Sequence, residues 1–115
     1  MDAALQTLLA NYTEELKKIY RQDLHTVILY GSYARGDYGK ESDIDIMILV
    51  NTDENSLRKR NKDLVYMTYD FNLDNDIDIQ PIAESSDLYR YWSQAHPLYQ
   101  NINREGIVLY HAVEQ

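Results

Sequence analysis

Cysteine is absent from all 115 residues, which excludes disulfides and thiolate-ligated metal sites. No apolar run approaches the ~20 residues that span a bilayer. The start, MDAALQTLLANYTEELKK, lacks the basic head and continuous apolar core of a signal peptide. These absences predict a soluble cytoplasmic protein. Cations are scarce: 11 Lys and Arg stand against 19 Asp and Glu, for a net charge of −8. Such a balance argues against a broad grip on a nucleic-acid backbone, though not against a nucleotide held through metal ions. Phenylalanine and tryptophan occur once each, while tyrosine occurs 11 times. So many tyrosines suit half-buried amphipathic packing and a partner surface alike. Repeats, linkers and low-complexity segments are missing too, and the length predicts one domain over residues 1–115.

What is present centres on GSYARGDYGKESDIDIMILV, residues 31–50. In Asp43-Ile44-Asp45-Ile46-Met47-Ile48 the alternation is that of a strand. Asp43, Asp45 and Met47 fall on one face, and Ile44, Ile46 and Ile48 on the other. Two carboxylates on adjacent same-face positions repel each other, and aspartate is depleted in strands. A divalent cation explains the pair. Mg²⁺ is a hard ion that takes one or two carboxylates together with waters and substrate phosphate oxygens. Gly31-Ser32 supplies the complementary half. If Ser32 opens a short helix, its first N–H groups point outward as anion donors, and Gly31 lets the backbone approach a phosphate closely.

The flanking segments predict a scaffold for this stretch. Residues 2–22 read as an amphipathic helix with Asp2 at its N-cap and Leu5, Leu8, Leu9, Tyr12, Leu16, Ile19 and Tyr20 on one stripe. Thr26–Tyr30 reads as a buried strand entering the Gly-Ser turn. After one helical turn, Ser32–Arg35, residues 36–42 form a loop. The connection is too short for a parallel crossover, so this strand and Asp43–Val50 pair antiparallel. Residues 56–69 predict a helix with Leu57, Leu64, Val65, Met67 and Thr68 towards the sheet. Arg58, Lys59, Arg60 and Lys62 face outward, as a solvated surface rather than a phosphate patch. Residues 72–76 predict a turn.

A second acidic strand follows, Asp76-Ile77-Asp78-Ile79-Gln80-Pro81-Ile82, with Ile77 and Ile79 towards the core. Pro81 places the strand at an edge or ends it. Ser85 or Ser86 caps a short helix through Leu88, Tyr91 and Trp92, and His96-Pro97 breaks it. A helix over 97–104 ends at Gly106, and Ile107–Tyr110 forms a last strand.

Taken together, Gly31-Ser32, ten intervening residues, and Asp43-x-Asp45 resemble the GSx10DxD signature of the minimal nucleotidyltransferases of the DNA polymerase β-like superfamily. Ala34-Arg35-Gly36 fits the extended form GSxARG, and Asp78 falls where that family carries its third carboxylate. Arg104–Tyr110 resembles the usual family ending, so the likeness spans about residues 24–110. It implies an α/β (α+β) fold, palm-like, with a small mixed sheet of about four strands flanked by helices. It also implies Mg²⁺-dependent transfer of AMP from ATP. On that resemblance, Asp43, Asp45 and Asp78 are the catalytic and metal-binding carboxylates, and two ions are expected. Gly31, Ser32 and Arg35 bind the nucleotide, although an ion pair with a nearby carboxylate serves Arg35 equally well. Asp76 reads as a supporting residue at the start of its strand, with an exchange of roles between Asp76 and Asp78 as the alternative.

Small proteins of this kind often act as the antitoxin to a HEPN-domain ribonuclease toxin, adenylylating a toxin tyrosine and binding it. The resemblance therefore implies a hetero-oligomer with such a toxin. Neutralisation by binding alone is an alternative, as is transfer to a small molecule, although small-molecule relatives generally carry an extra acceptor domain. Arg90-x5-His96 resembles a HEPN ribonuclease motif, but that motif is short, and the strands fit no all-helical fold.

Overall fold

The computed structural model describes residues 1–39 and 41–113. Lys40, within the predicted loop, lies outside them. Helix α1 (Ala3–Tyr20) starts at Asp2, whose carboxylate accepts from the Leu5 N–H at 2.8 Å. A 3₁₀ turn over Arg21–Asp23 leads into β1 (Leu24–Tyr30). Next come α2 (Ser32–Arg35), β2 (Ile44–Val50), α3 (Glu54–Asn75) and β3 (Ile79–Ser85). Helices α4 (Ser86–Trp92) and α5 (Pro97–Glu105) precede β4 (Ile107–His111). No helix among the described residues is long and apolar enough to cross a membrane.

The strands form a mixed sheet in the order β3-β2-β1-β4. β1 pairs antiparallel with β2 and with β4, as the short 36–42 connection requires. β2 pairs parallel with β3, and α3 supplies the crossover that a parallel pair needs. The alternation read in β2 is realised. Ile44, Ile46, Ile48 and Val50 pack with Leu9, Tyr12, Leu16 and Tyr20 of α1 and Leu64 of α3. Met47 and Leu49 point the other way, into a smaller cluster with Ile28, Tyr89 of α4 and Ile102 of α5.

Four expectations need correction. Helix α3 does not end near Tyr69 but continues through Asn75. Its last turns are rich in turn-forming residues, yet tertiary contacts hold them. Phe71 stacks edge-on against Tyr12 at 5.2 Å, and the Asn72 amide brackets Ile79, donating to its carbonyl and accepting from its N–H. Asp76 does not start a strand. It caps α3 in the left-handed region at φ 52°, a conformation that Asp tolerates, and β3 begins only at Ile79. Val65 is 54% exposed rather than facing the sheet. Arg60 does not join a solvated basic face. It turns back to donate to the Tyr20 carbonyl and to Asp23 at 2.6 Å, tying α3 to the 3₁₀ turn.

Pro81 lies on the outer strand, where its missing N–H breaks no ladder on the solvent side. β3 runs on past it to Ser85, whose hydroxyl caps α4. Gly106 leaves α5 at an ordinary φ of −69°. Glycine is required there by space, since a Cβ would meet the Ile102 carbonyl and the Ile28 side chain.

Candidate active site

β1 delivers the chain to a tight turn at Gly31, which takes φ 74°. The Gly31 carbonyl accepts from the N–H groups of Ala34 and Arg35, and the Ser32 carbonyl from those of Gly36 and Asp37. The turn's own bonds therefore leave the N–H groups of Ser32 and Tyr33 unused within it. Gly31 serves a second purpose as well. A Cβ at this position would run into the Asp45 carboxylate, so only glycine lets the acid lie against the turn. Pairing of Tyr30 with Asp45 across the β1–β2 ladder sets this register.

Gly31, Ser32, Arg35, Asp43 and Asp45 line one cavity of about 560 Å³. Partial burial raises the Asp45 pKa, against the Arg35 charge that lowers it. Arg35 is already engaged: its Nε lies 3.3 Å from Asp37 and an Nη 3.6 Å from Glu105 of α5. The expected ion pair thus exists, at the mouth of the same cavity.

Asp78 is not in this cavity. It lines an adjoining depression of about 360 Å³ together with Tyr33, Asp76 and Ile77. Glu41 and Ser42 border both spaces and form their common wall. The strand ends still bring Asp78 to Asp43, because the Asp78 carbonyl accepts from the Ile44 N–H at 2.9 Å. A hydrogen bond between the two side chains raises the Asp43 pKa, with smaller contributions from desolvation and from the charges of Asp78 and Asp45. The other partner of the Asp78 carboxylate is Gln80, which donates to it at 2.7 Å.

The donor chemistry suits a hard cation. Every candidate ligand is oxygen, and the exposed Asp43 carboxyl holds a proton more tightly because acids crowd it. Among the described residues, no group of three or more acidic or histidine side chains stands ready to hold an ion. The arrangement therefore fits a site in which Asp43 and Asp45 supply two ligands and substrate oxygens supply others.

Four lining residues on α5 and one on β1 were not singled out from sequence. Leu98, Asn101, Ile102 and Glu105 close one side of the cavity, and Tyr30 adds an aromatic surface. The spacing 98, 101, 102, 105 is one helical stripe that mixes apolar and polar positions, which was the available signal.

Comparison with known proteins shows the family. The family model for polymerase β nucleotidyltransferases matches residues 14–115. MJ0604, a candidate protein adenylyltransferase of Methanocaldococcus jannaschii, is 35% identical over 102 residues, which is 86% of this chain and 91% of that one. MJ0141, another candidate protein adenylyltransferase of that organism, is 37% identical over 75 residues, covering 65% of this chain and 74% of its own. Among solved structures, a chain from a toxin–antitoxin crystallised with AMP-PNP superposes with a TM-score of 0.55 at 23% identity, over 90% of this chain and 73% of that one. At this identity the likeness is one of fold. The chain belongs to the polymerase β nucleotidyltransferase family and is a nucleotidyltransferase.

Proposed function

We propose that the protein transfers AMP from ATP to a protein hydroxyl, specifically a tyrosine of a HEPN-domain ribonuclease toxin, and so acts as that toxin's antitoxin. The observation that carries this reading is the shared cavity, where the Gly31-Ser32 turn faces Asp43 and Asp45. The similarity to MJ0604 and MJ0141 supports a protein as acceptor. The toxin–antitoxin of like fold, crystallised with an ATP analogue, supports the nucleotide and the partner class.

In the proposed reaction, the acceptor hydroxyl attacks the α-phosphorus of ATP. The bond from that phosphorus to its bridging oxygen breaks, and pyrophosphate leaves. Gly31 and Ser32 hold the outer phosphates through backbone donors and the Ser32 hydroxyl. Arg35 exchanges an ion pair with Asp37 or Glu105 for a phosphate. Asp43 and Asp45 would hold Mg²⁺ together with substrate oxygens, and Asp78 would add a ligand for a second ion. When bound, the ions neutralise the triphosphate and stabilise the charge that builds on the attacking and leaving oxygens. Asp78, which lines the adjoining depression, takes the proton of the attacking hydroxyl.

Intact-mass measurement of a co-expressed HEPN partner, after incubation with ATP and Mg²⁺, tests this reading. The expected result is a gain of one or more adenylyl units, lost when the acceptor tyrosine is changed to phenylalanine. Full neutralisation of the toxin by the Asp43→Ala, Asp45→Ala double variant would show that binding, not transfer, is the essential activity.

A further inference from the structure

Helix α3 is apolar on its outer side as well as its inner one. Leu64 packs in the core, and the Thr68 hydroxyl bonds that of Tyr12 on α1 at 2.7 Å. On the opposite side, Val65, Tyr66, Tyr69 and Leu73 are each 54–65% exposed. Spacings of three and four set them on one stripe. Helix α1 presents an ordinary outer face by comparison, since its exposed Thr7, Asn11, Glu14 and Lys18 are all polar. A contiguous apolar stripe rich in tyrosine marks an interaction surface. The charges on the same face are segregated. Arg58 and Lys62 come before the stripe, and Asp76, the left-handed cap, ends it. The Lys62 ammonium lies 5.7 Å over the Tyr66 ring, which holds that cation on the stripe.

We propose that this face is the interface of a symmetric dimer, in which a second copy of the chain lies antiparallel across α3 on a two-fold axis through Tyr69. The pattern is self-complementary about that residue. Val65 and Leu73 stand four residues to either side, and Lys62 and Asp76 seven to either side. The two-fold therefore sets Tyr69 against Tyr69 of the second copy, Val65 against its Leu73, and Lys62 against its Asp76. Isologous contacts demand that one patch complement itself in this way, whereas a foreign partner needs no such palindrome. Parallel pairing is disfavoured, because it would bring Lys62 to Lys62 and Asp76 to Asp76. Helix α3 covers the sheet face opposite to the one that carries Asp45, so the nucleotide cavities of both copies stay open.

Sedimentation velocity on the full chain reads the association. The mass should rise from one chain towards two, with a midpoint on the order of 10–100 µM, as suits an interface near the lower size limit. Tyr69→Arg sets like charges together on the axis and should weaken association by about ten-fold or more. Its thermal unfolding should match wild type, since Tyr69 is exposed. Single introduced thiols then map the register, because the chain has no cysteine of its own. Tyr69→Cys should crosslink to itself on oxidation. Leu73→Cys should crosslink to itself far more slowly, since its two copies lie ~12 Å apart along the helices at ~1.5 Å per residue. Mixed with Val65→Cys, it should pair with that variant instead. A mass of one chain at every concentration up to the solubility limit would overturn the dimer. So would a dimer untouched by Tyr69→Arg, or one in which Leu73→Cys crosslinks to itself as fast as Tyr69→Cys. A chain that stays monomeric alone, with its Tyr69→Cys thiol shielded from a thiol reagent by a co-expressed HEPN partner, would give the face to the toxin and overturn it too.

Discussion

On the sheet face covered by α1 and α3, β2 presents Ile44, Ile46, Ile48 and Val50, and every one is buried. On the opposite face the same strand presents Asp45, then Met47 and Leu49, and only the last two are buried. Helices α4 and α5 cover this second face incompletely, and beside Asp45 it opens into the cavity that Gly31, Ser32 and Asp43 line. One strand thus separates two tasks by alternation alone. Odd positions beside the Gly-Ser turn carry charge that folding would rather not hold, and even positions supply the burial that compensates for it. Stability and chemistry should therefore separate cleanly between neighbouring residues.

The largest expected effect comes from the open face. Asp45→Asn should lower adenylyl transfer by about 10³-fold or more, the scale of removing one preorganised charge stabiliser. Its melting temperature should stay at or above wild type, because the change removes a partly buried charge. A loss of activity matched by a loss of folding would collapse the distinction between faces. Ile46→Ala, one residue along and fully buried, should do the reverse. It should lower unfolding free energy by about 2–5 kcal/mol in urea titrations, with transfer per folded molecule near wild type.

Gly31→Ala tests the point where the faces meet the turn. Alanine at φ 74° is strained by about 1–3 kcal/mol, and its Cβ pushes on the Asp45 carboxylate. Kinetics and unfolding measured together should show transfer falling by more than stability does. The smallest effect concerns pH. Folding raises the Asp43 pKa through the Asp78 contact, so this acid is stabilising when protonated and loses that contribution as pH rises through its folded value. Asp43→Asn should therefore melt slightly higher than wild type at neutral pH. The gain should fade as pH drops towards the ordinary aspartate value of 3.8, while transfer is lost at every pH.

Much of this arrangement was legible in the sequence because local pattern and tertiary role coincide. The strict alternation of Asp43–Ile48, the Gly-Ser turn after a buried run and the Asp2 cap each have one economical reading. The segment after residue 69 was less legible, since its local chemistry and its tertiary contacts disagree. Asp70, Asn72, Asp74 and Asn75 favour turns, but Phe71 on Tyr12 and the Asn72 bracket on Ile79 hold them in α3. That extension moves the start of β3 to Ile79, which leaves Asp76 as a helix cap and Asp78 at the strand mouth. The contribution of α5 to the cavity was hidden for another reason. Leu98, Asn101, Ile102 and Glu105 carry no distinctive chemistry until the fold lines the cavity with them and sets Glu105 against Arg35.

The most direct test of the central claim is a crystal grown with Mn²⁺ and a non-hydrolysable ATP analogue, read by anomalous scattering. The account predicts a metal peak bound by Asp43 and Asp45, with the triphosphate running to the backbone of Gly31 and Ser32. A metal bound elsewhere, or a triphosphate that avoids the Gly-Ser turn, would contradict it.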